Sequence, residues 1–344
     1  MIKRNLAVIV MLAVLGGSLP AIGQETQLPP ALAAAVRSGN ADAVTQAIAT
    51  LSAGNPASAA QLALQVVSAA EKMLTTNPQA AISIAGAAVK TISAAAVEQA
   101  GPANTQNVLT TAARIFVSPA AEKAAPDAAA ALAASTVKAA STTGNAALSG
   151  QIATQAVATA EKILSVSPAA AVQLAGVAVQ AVQAANVLSQ QPANALQVST
   201  VAARIMVTPG AQAASPQAVA TISANVAQIV TTPSVYQSSP AGAIAVMANA
   251  YTAASSQTVL AASPGSQQNI TVILTQAATS QDLNTFNPTN SPQITAILTQ
   301  SKGPSGPPPG DQNGNNNNNN NNNNNQLLSS PPREENPHAN ASPT

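Results

Sequence analysis

The chain has 344 residues, 47% of them apolar but only 1% aromatic, so any core must be built from alanine, valine, leucine and isoleucine. Charged residues make up 7% and the formal net charge is +1, which leaves no electrostatic footprint for nucleic acid or an anionic membrane surface. Without cysteine there are no disulfides, thiolate metal sites, cysteine nucleophiles or lipid-modified cysteine anchors.

The amino terminus reads as a secretory leader over residues 1–23. Lys3 and Arg4 supply the charge, Leu6 to Leu15 form an apolar run, and Ala21 and Gly23 give a small-x-small cleavage pattern. An uncleaved anchor is the competing reading, but the run is short of the roughly 20 residues that cross a bilayer. The mature chain is expected to begin near Gln24, to carry 10 basic against 11 acidic residues, and to contain no membrane span. Its expected destination is the periplasm or the extracellular space.

Residues 24–55 predict a helical hairpin turning at Ser38-Gly39-Asn40. Beyond it, proline recurs every 22 to 24 residues: Pro56, Pro78, Pro102 and Pro126, then Pro168, Pro192, Pro216, Pro240 and Pro264, with one beat missing near Asn145-Ala146. Proline suits the first position of a helix because the amide it lacks would be unpaired there, and its ring presets φ. It also pushes the preceding residue into the extended region, where an asparagine or serine acts as N-cap. Each of these prolines is therefore expected to open a helix, since in a helix interior each would cost about 3 kcal/mol. Ile82, Ala85, Val89 and Ile92 form one apolar stripe after Pro78, and Val172, Ala175, Val179 and Val182 match it after Pro168.

The two stretches are related by a constant shift of 90 residues. Between Ala69 and Pro119 roughly half the positions are identical to their shifted partners, the mark of a duplicated structural unit. Residues 56–145 and 146–235 are read as two four-helix blocks, 236–300 as capping helices, and 301–344 as a disordered tail rich in proline, glycine and asparagine. The expected fold is all-α, an α-solenoid or helical array of ten or more helices of roughly 15 to 20 residues. Two tandem four-helix bundles are the alternative, distinguished by contact between the first and fourth helices of a block.

Chemistry-bearing residues are sparse. The single histidine, His338, lies in the tail, and the folded region offers no base to activate a serine or threonine. Carboxylates are scattered without calcium-loop or zinc-protease spacing. No catalytic, cofactor-binding or metal-binding residue is nominated, and no cofactor is implied. Glycosylation sequons occur at Asn269-Ile270-Thr271 and Asn340-Ala341-Ser342, and Asn315 to Asn325 form an unbroken asparagine tract.

Among the charges, Glu71, Lys72 and Arg114 recur as Glu161, Lys162 and Arg204, whereas Lys90, Glu122, Lys123, Asp127 and Lys138 meet uncharged residues 90 positions on. Helices that begin at Pro56 and Pro102 should run in the same direction, with Glu71 and Arg114 at the same height. A ladder of Glu71, Arg114, Glu161 and Arg204 is therefore expected along one edge, a cation offsetting each glutamate near a helix C-terminus. The expected function is an exported, non-enzymatic structural or protein-interaction scaffold. A carrier of an apolar ligand or lipid between alanine-lined helices is the alternative.

Overall fold

The computed structural model describes residues 28–300, which form twenty α-helices; no strand occurs among the described residues. The leader, the tail with its asparagine tract, His338 and the sequon at Asn340 lie outside them.

The first hairpin is α1 (Pro30–Ser38) and α2 (Ala41–Ser52). It turns at Gly39, whose φ of +69° is open to glycine at little cost, and Asn40 caps α2 by accepting from Asp42 N at 2.9 Å. There follow α3 (Pro56–Met73), α4 (Pro78–Ile92), α5 (Ala95–Ala100), α6 (Pro102–Phe116), α7 (Pro119–Ala124) and α8 (Pro126–Thr142). Next come α9 (Ala146–Ile163), α10 (Pro168–Val182), α11 (Ala185–Gln190), α12 (Pro192–Met206), α13 (Pro209–Ala214) and α14 (Pro216–Val230). The chain closes with α15 (Pro233–Ser238), α16 (Pro240–Ala254), α17 (Gln257–Ala262), α18 (Ser266–Thr279), α19 (Gln281–Phe286) and α20 (Asn290–Gln300).

Pro56, Pro78, Pro102, Pro126, Pro168, Pro192, Pro216 and Pro240 stand at the first position of α3, α4, α6, α8, α10, α12, α14 and α16. Where the beat lacks a proline, Asn145 caps α9 by accepting from Leu148 N at 3.1 Å. Pro264 departs from the pattern. It lies in a turn two residues before α18, closed by Ser266 N donating to Ser263 O at 3.0 Å. Gly265 follows it with φ −85° and ψ −3°, so Pro264-Gly265 occupies the centre of a type I turn and the helix begins only at Ser266.

Helix lengths also need correcting. Alongside the long rods are seven helices of six residues: α5, α7, α11, α13, α15, α17 and α19. Six residues are far too few for a helix stable by itself, so packing has to hold them. The third residue of each (Val97, Ala121, Val187, Ala211, Val235, Val259, Leu283) is buried. Four are also capped locally: Ser118, Thr208, Ser256 and Ser280 each accept from the backbone N–H of that buried residue.

The long helices stack in two layers. Layer A contains α1, α3, α6, α9, α12, α16 and α20; layer B contains α2, α4, α8, α10, α14 and α18. Each helix packs against the next long helix in the opposite layer and the next in its own, as α3 does with α4 and α6, and α10 with α12 and α14. Substantial contact between α3 and α8, the first and fourth long helices of a block, is absent, which favours the solenoid over tandem bundles. The bounds of α9 to α13 equal those of α3 to α7 displaced by 90 residues, and the two series part only where α8 runs on to Thr142 while α14 stops at Val230. The core between the layers is alanine, valine, isoleucine and leucine, with Phe116, Met206, Tyr236, Met247 and Tyr251 as exceptions.

Candidate functional site

Layer A helices end, and layer B helices begin, along one edge of the array. Eleven of the fifteen charged residues described lie along it: Arg37, Asp42, Glu71, Lys72, Arg114, Glu122, Lys123, Asp127, Glu161, Lys162 and Arg204. Near the end of α6, Arg114 Nε donates to Glu71 Oε1 on α3 at 2.7 Å and Nη2 donates to Oε2 at 3.0 Å. Arg204 of α12 repeats this fork on Glu161 of α9 at 2.9 and 3.0 Å. Arg114 Nη2 also donates to Thr111 Oγ1 at 3.1 Å, which fixes the plane of the guanidinium. The hydrogen bond from Arg114 holds the Glu71 carboxyl below the usual carboxylate range against the opposing effect of burial, and the same bond raises Arg114. Arg114 and Glu161 form no ion pair, so the four residues make two separate rungs instead of a continuous ladder.

Two further contacts join this edge across the boundary between α8 and α9. Lys162 Nζ donates to Glu122 Oε1 on α7 at 2.9 Å, and Ser167, which precedes α10, donates its hydroxyl to Asp127 on α8. The Glu122 side chain is only 12% exposed, against 35% for Glu71 and 41% for Glu161.

A buried polar network, not foreseen in the sequence, ties down the far end. Tyr236 O–H donates to Asn290 Oδ1 at 2.9 Å and accepts from Asn287 Nδ2 at 3.1 Å. Asn290 Nδ2 in turn donates to Ala277 O at 2.9 Å and to Asn284 Oδ1 at 3.2 Å. Tyr236 and Asn290 are both 0% exposed, and burial pushes the Tyr236 phenol up, with the Asn287 bond pulling the other way. Neither residue sits in a pattern that sequence alone would single out, because 54 positions separate them.

The chain matches no family model, curated protein or solved structure.

Outside the edge, the broadest repeated feature is the outward face of layer B. Its four inner helices, α4, α8, α10 and α14, are buried on most sides, leaving a stripe of exposed or half-exposed positions at about one per turn. On α4 this stripe is Gln79, Ser83, Gly86 and Lys90, and on α8 it is Asp127, Ala131, Ser135 and Lys138. On α10 it is Ala169, Gln173, Gly176 and Gln180, and on α14 Gln217, Thr221, Ala224 and Gln228. Most of the middle positions are small (Ser83, Gly86, Ala131, Ser135, Gly176, Thr221, Ala224), so another chain can approach the helix backbones closely. Among the described residues there is no group of three or more histidine, cysteine or acidic side chains arranged to hold a metal ion. Asn269 is exposed on α18, but Ile270 is wholly buried and Thr271 bonds back to Gln267 O at 2.8 Å.

Proposed function

We propose that this chain is an exported, non-enzymatic scaffold that receives a protein partner along the outward face of layer B. Export is supported by the order of charge, apolar run and small residues in positions 1–23. The observation that carries the scaffold is the recurrence of one narrow, short-sided stripe on four successive layer B helices, which makes a continuous surface several helices long. Repeat arrays use such surfaces for extended partners. Charge is rare on it and changes from one half to the other: Lys90, Asp127 and Lys138 give way to Gln180, Gln217 and Gln228, so a partner would meet a charged half and a neutral half.

Photo-crosslinking tests the proposal. A photoreactive residue at Gln173, on the layer B stripe, should yield one defined adduct from the exported fraction, whereas one at Gln151, exposed on layer A, should yield none. Adducts equally abundant from both positions, or absent from both, would remove the support. Titration with a fluorescent fatty acid addresses the carrier: saturable binding at one site per chain would replace the scaffold with it.

A further inference from the structure

Pairs shared by both halves of a duplicated array cannot tell the array which neighbour is correct. If two copies exchanged halves out of register, Glu71 of one would still meet an arginine, Arg204 of the other, and Glu161 would still meet Arg114. Discrimination has to come from residues that differ between the halves. Glu122 and Asp127 are two such residues, and they are the ones that reach across from α7 and α8 to Lys162 and Ser167. Ninety positions on, Gln212 does the opposite: its Nε2 turns back to Met206 O at 3.0 Å within its own half. The downstream counterparts of Lys162 and Ser167 are Thr252 and Gln257, neither of which carries charge.

We infer that the Glu122–Lys162 pair, with Asp127–Ser167 beside it, is a register lock. It makes the α7–α8 edge accept α9 and α10 and reject the α16–α17 segment of its own chain or of a second copy. The inference rests on the 90-residue correspondence of the sequence and not on the scaffold function. Its physical basis is an asymmetry of cost. A carboxylate as covered as Glu122 gains little from being paired but loses much when its cation is absent, because the charge is then stranded away from water. A neighbour that offers Thr252 at that place strands it, whereas α9 offers Lys162. Repeat proteins misassemble between chains while folding, when unfinished edges are open, and that is when such a lock acts.

Refolding the full-length chain by dilution at several protein concentrations tests this, with the oligomer fraction read by light scattering after size exclusion. Glu122→Gln should raise the oligomer fraction severalfold over wild type at equal concentration. The charge exchange Glu122→Lys with Lys162→Glu should bring it back down. Glu71→Gln, which breaks a shared pair, should leave it at the wild-type level. A Glu122→Gln chain that refolds as cleanly as wild type, a Glu71→Gln chain that oligomerises as much, or a charge exchange that rescues nothing would each overturn the lock. If Glu122→Gln does not refold, the double replacement Glu122→Gln with Lys162→Gln carries the same comparison, since it removes the pair without leaving a covered carboxylate unpartnered.

Discussion

Replacing Tyr236 by phenylalanine should loosen the C-terminal end of the array and leave the rest unchanged. The ring remains in its buried position, so the loss is confined to the hydroxyl. Asn290 Oδ1 then has no donor among the described residues, while its Nδ2 still holds Ala277 O and Asn284 Oδ1. A buried acceptor left unsatisfied costs about 1–3 kcal/mol. Asn287, which is half-exposed, can turn to water and adds little. Because stability in such an array is a sum over neighbouring elements, the loss falls on α15 and α18–α20. A cost of about 2 kcal/mol multiplies the opening constant of those helices about 30-fold. Hydrogen exchange read by mass spectrometry should show that acceleration across residues 267–298, with amides of α3 to α12 unaffected. Equal acceleration along the whole chain, or none in α18–α20, would refute the assignment. The variant should also differ in alkali. Burial raises the Tyr236 pKa in the folded state, so the unfolded chain gives up its proton first and wild-type stability falls as pH climbs above about 10. Tyr236→Phe lacks that contribution to the fall.

Gly86→Ala and Gly101→Ala should act in opposite directions in thermal unfolding. A Cβ at Gly86 meets nothing within 4 Å, so the substitution gains about 1 kcal/mol of helix propensity, whereas a Cβ at Gly101 would lie 2.9 Å from Ala60 Cβ and should cost about 1–3 kcal/mol. Thr159 Oγ1 is buried on α9 without a partner, so Thr159→Val, of nearly the same shape, should raise the melting temperature by relieving about 1 kcal/mol. A double-mutant cycle on Glu71 and Arg114 should give a coupling of about 0.3–1 kcal/mol that shrinks in high salt, as expected for a partly exposed pair. The Glu71 pKa is lowered on folding, so this contribution is full above the ordinary carboxylate range near about 4.3 and disappears as pH falls through the folded-state value.

The all-helical character and the stacking of rods were legible because proline acts locally. A ring at Pro78 or Pro168 both permits a helix to start and forbids one to continue, so eight of the nine nominated prolines mark helix starts. Pro264 misled because glycine follows it and favours a turn. The six-residue helices escaped notice for a related reason: only six residues lie between Pro119 and Pro126, too few to suggest a helix with its own support. Their shared signature, an apolar anchor at the third position, preceded in four of them by a Ser or Thr cap, becomes meaningful once the neighbouring rods that bury the anchor are in place. Glu71 and Arg114 were placed from equal distances to helix ends, which periodicity supplies. Glu122 and Lys162 were not paired in the sequence, because Glu122 lies on the six-residue α7, which was not expected as a helix, and 40 positions separate the two.

Every substantial contact in this array joins elements close to one another along the stack. Tension applied at its two extremities would consequently load the interfaces in series, like links of a chain, with no long strut to share the force. The molecule should give way one rod pair at a time, extending in small steps and recoiling in the same increments, so that its mechanical character is that of a soft spring.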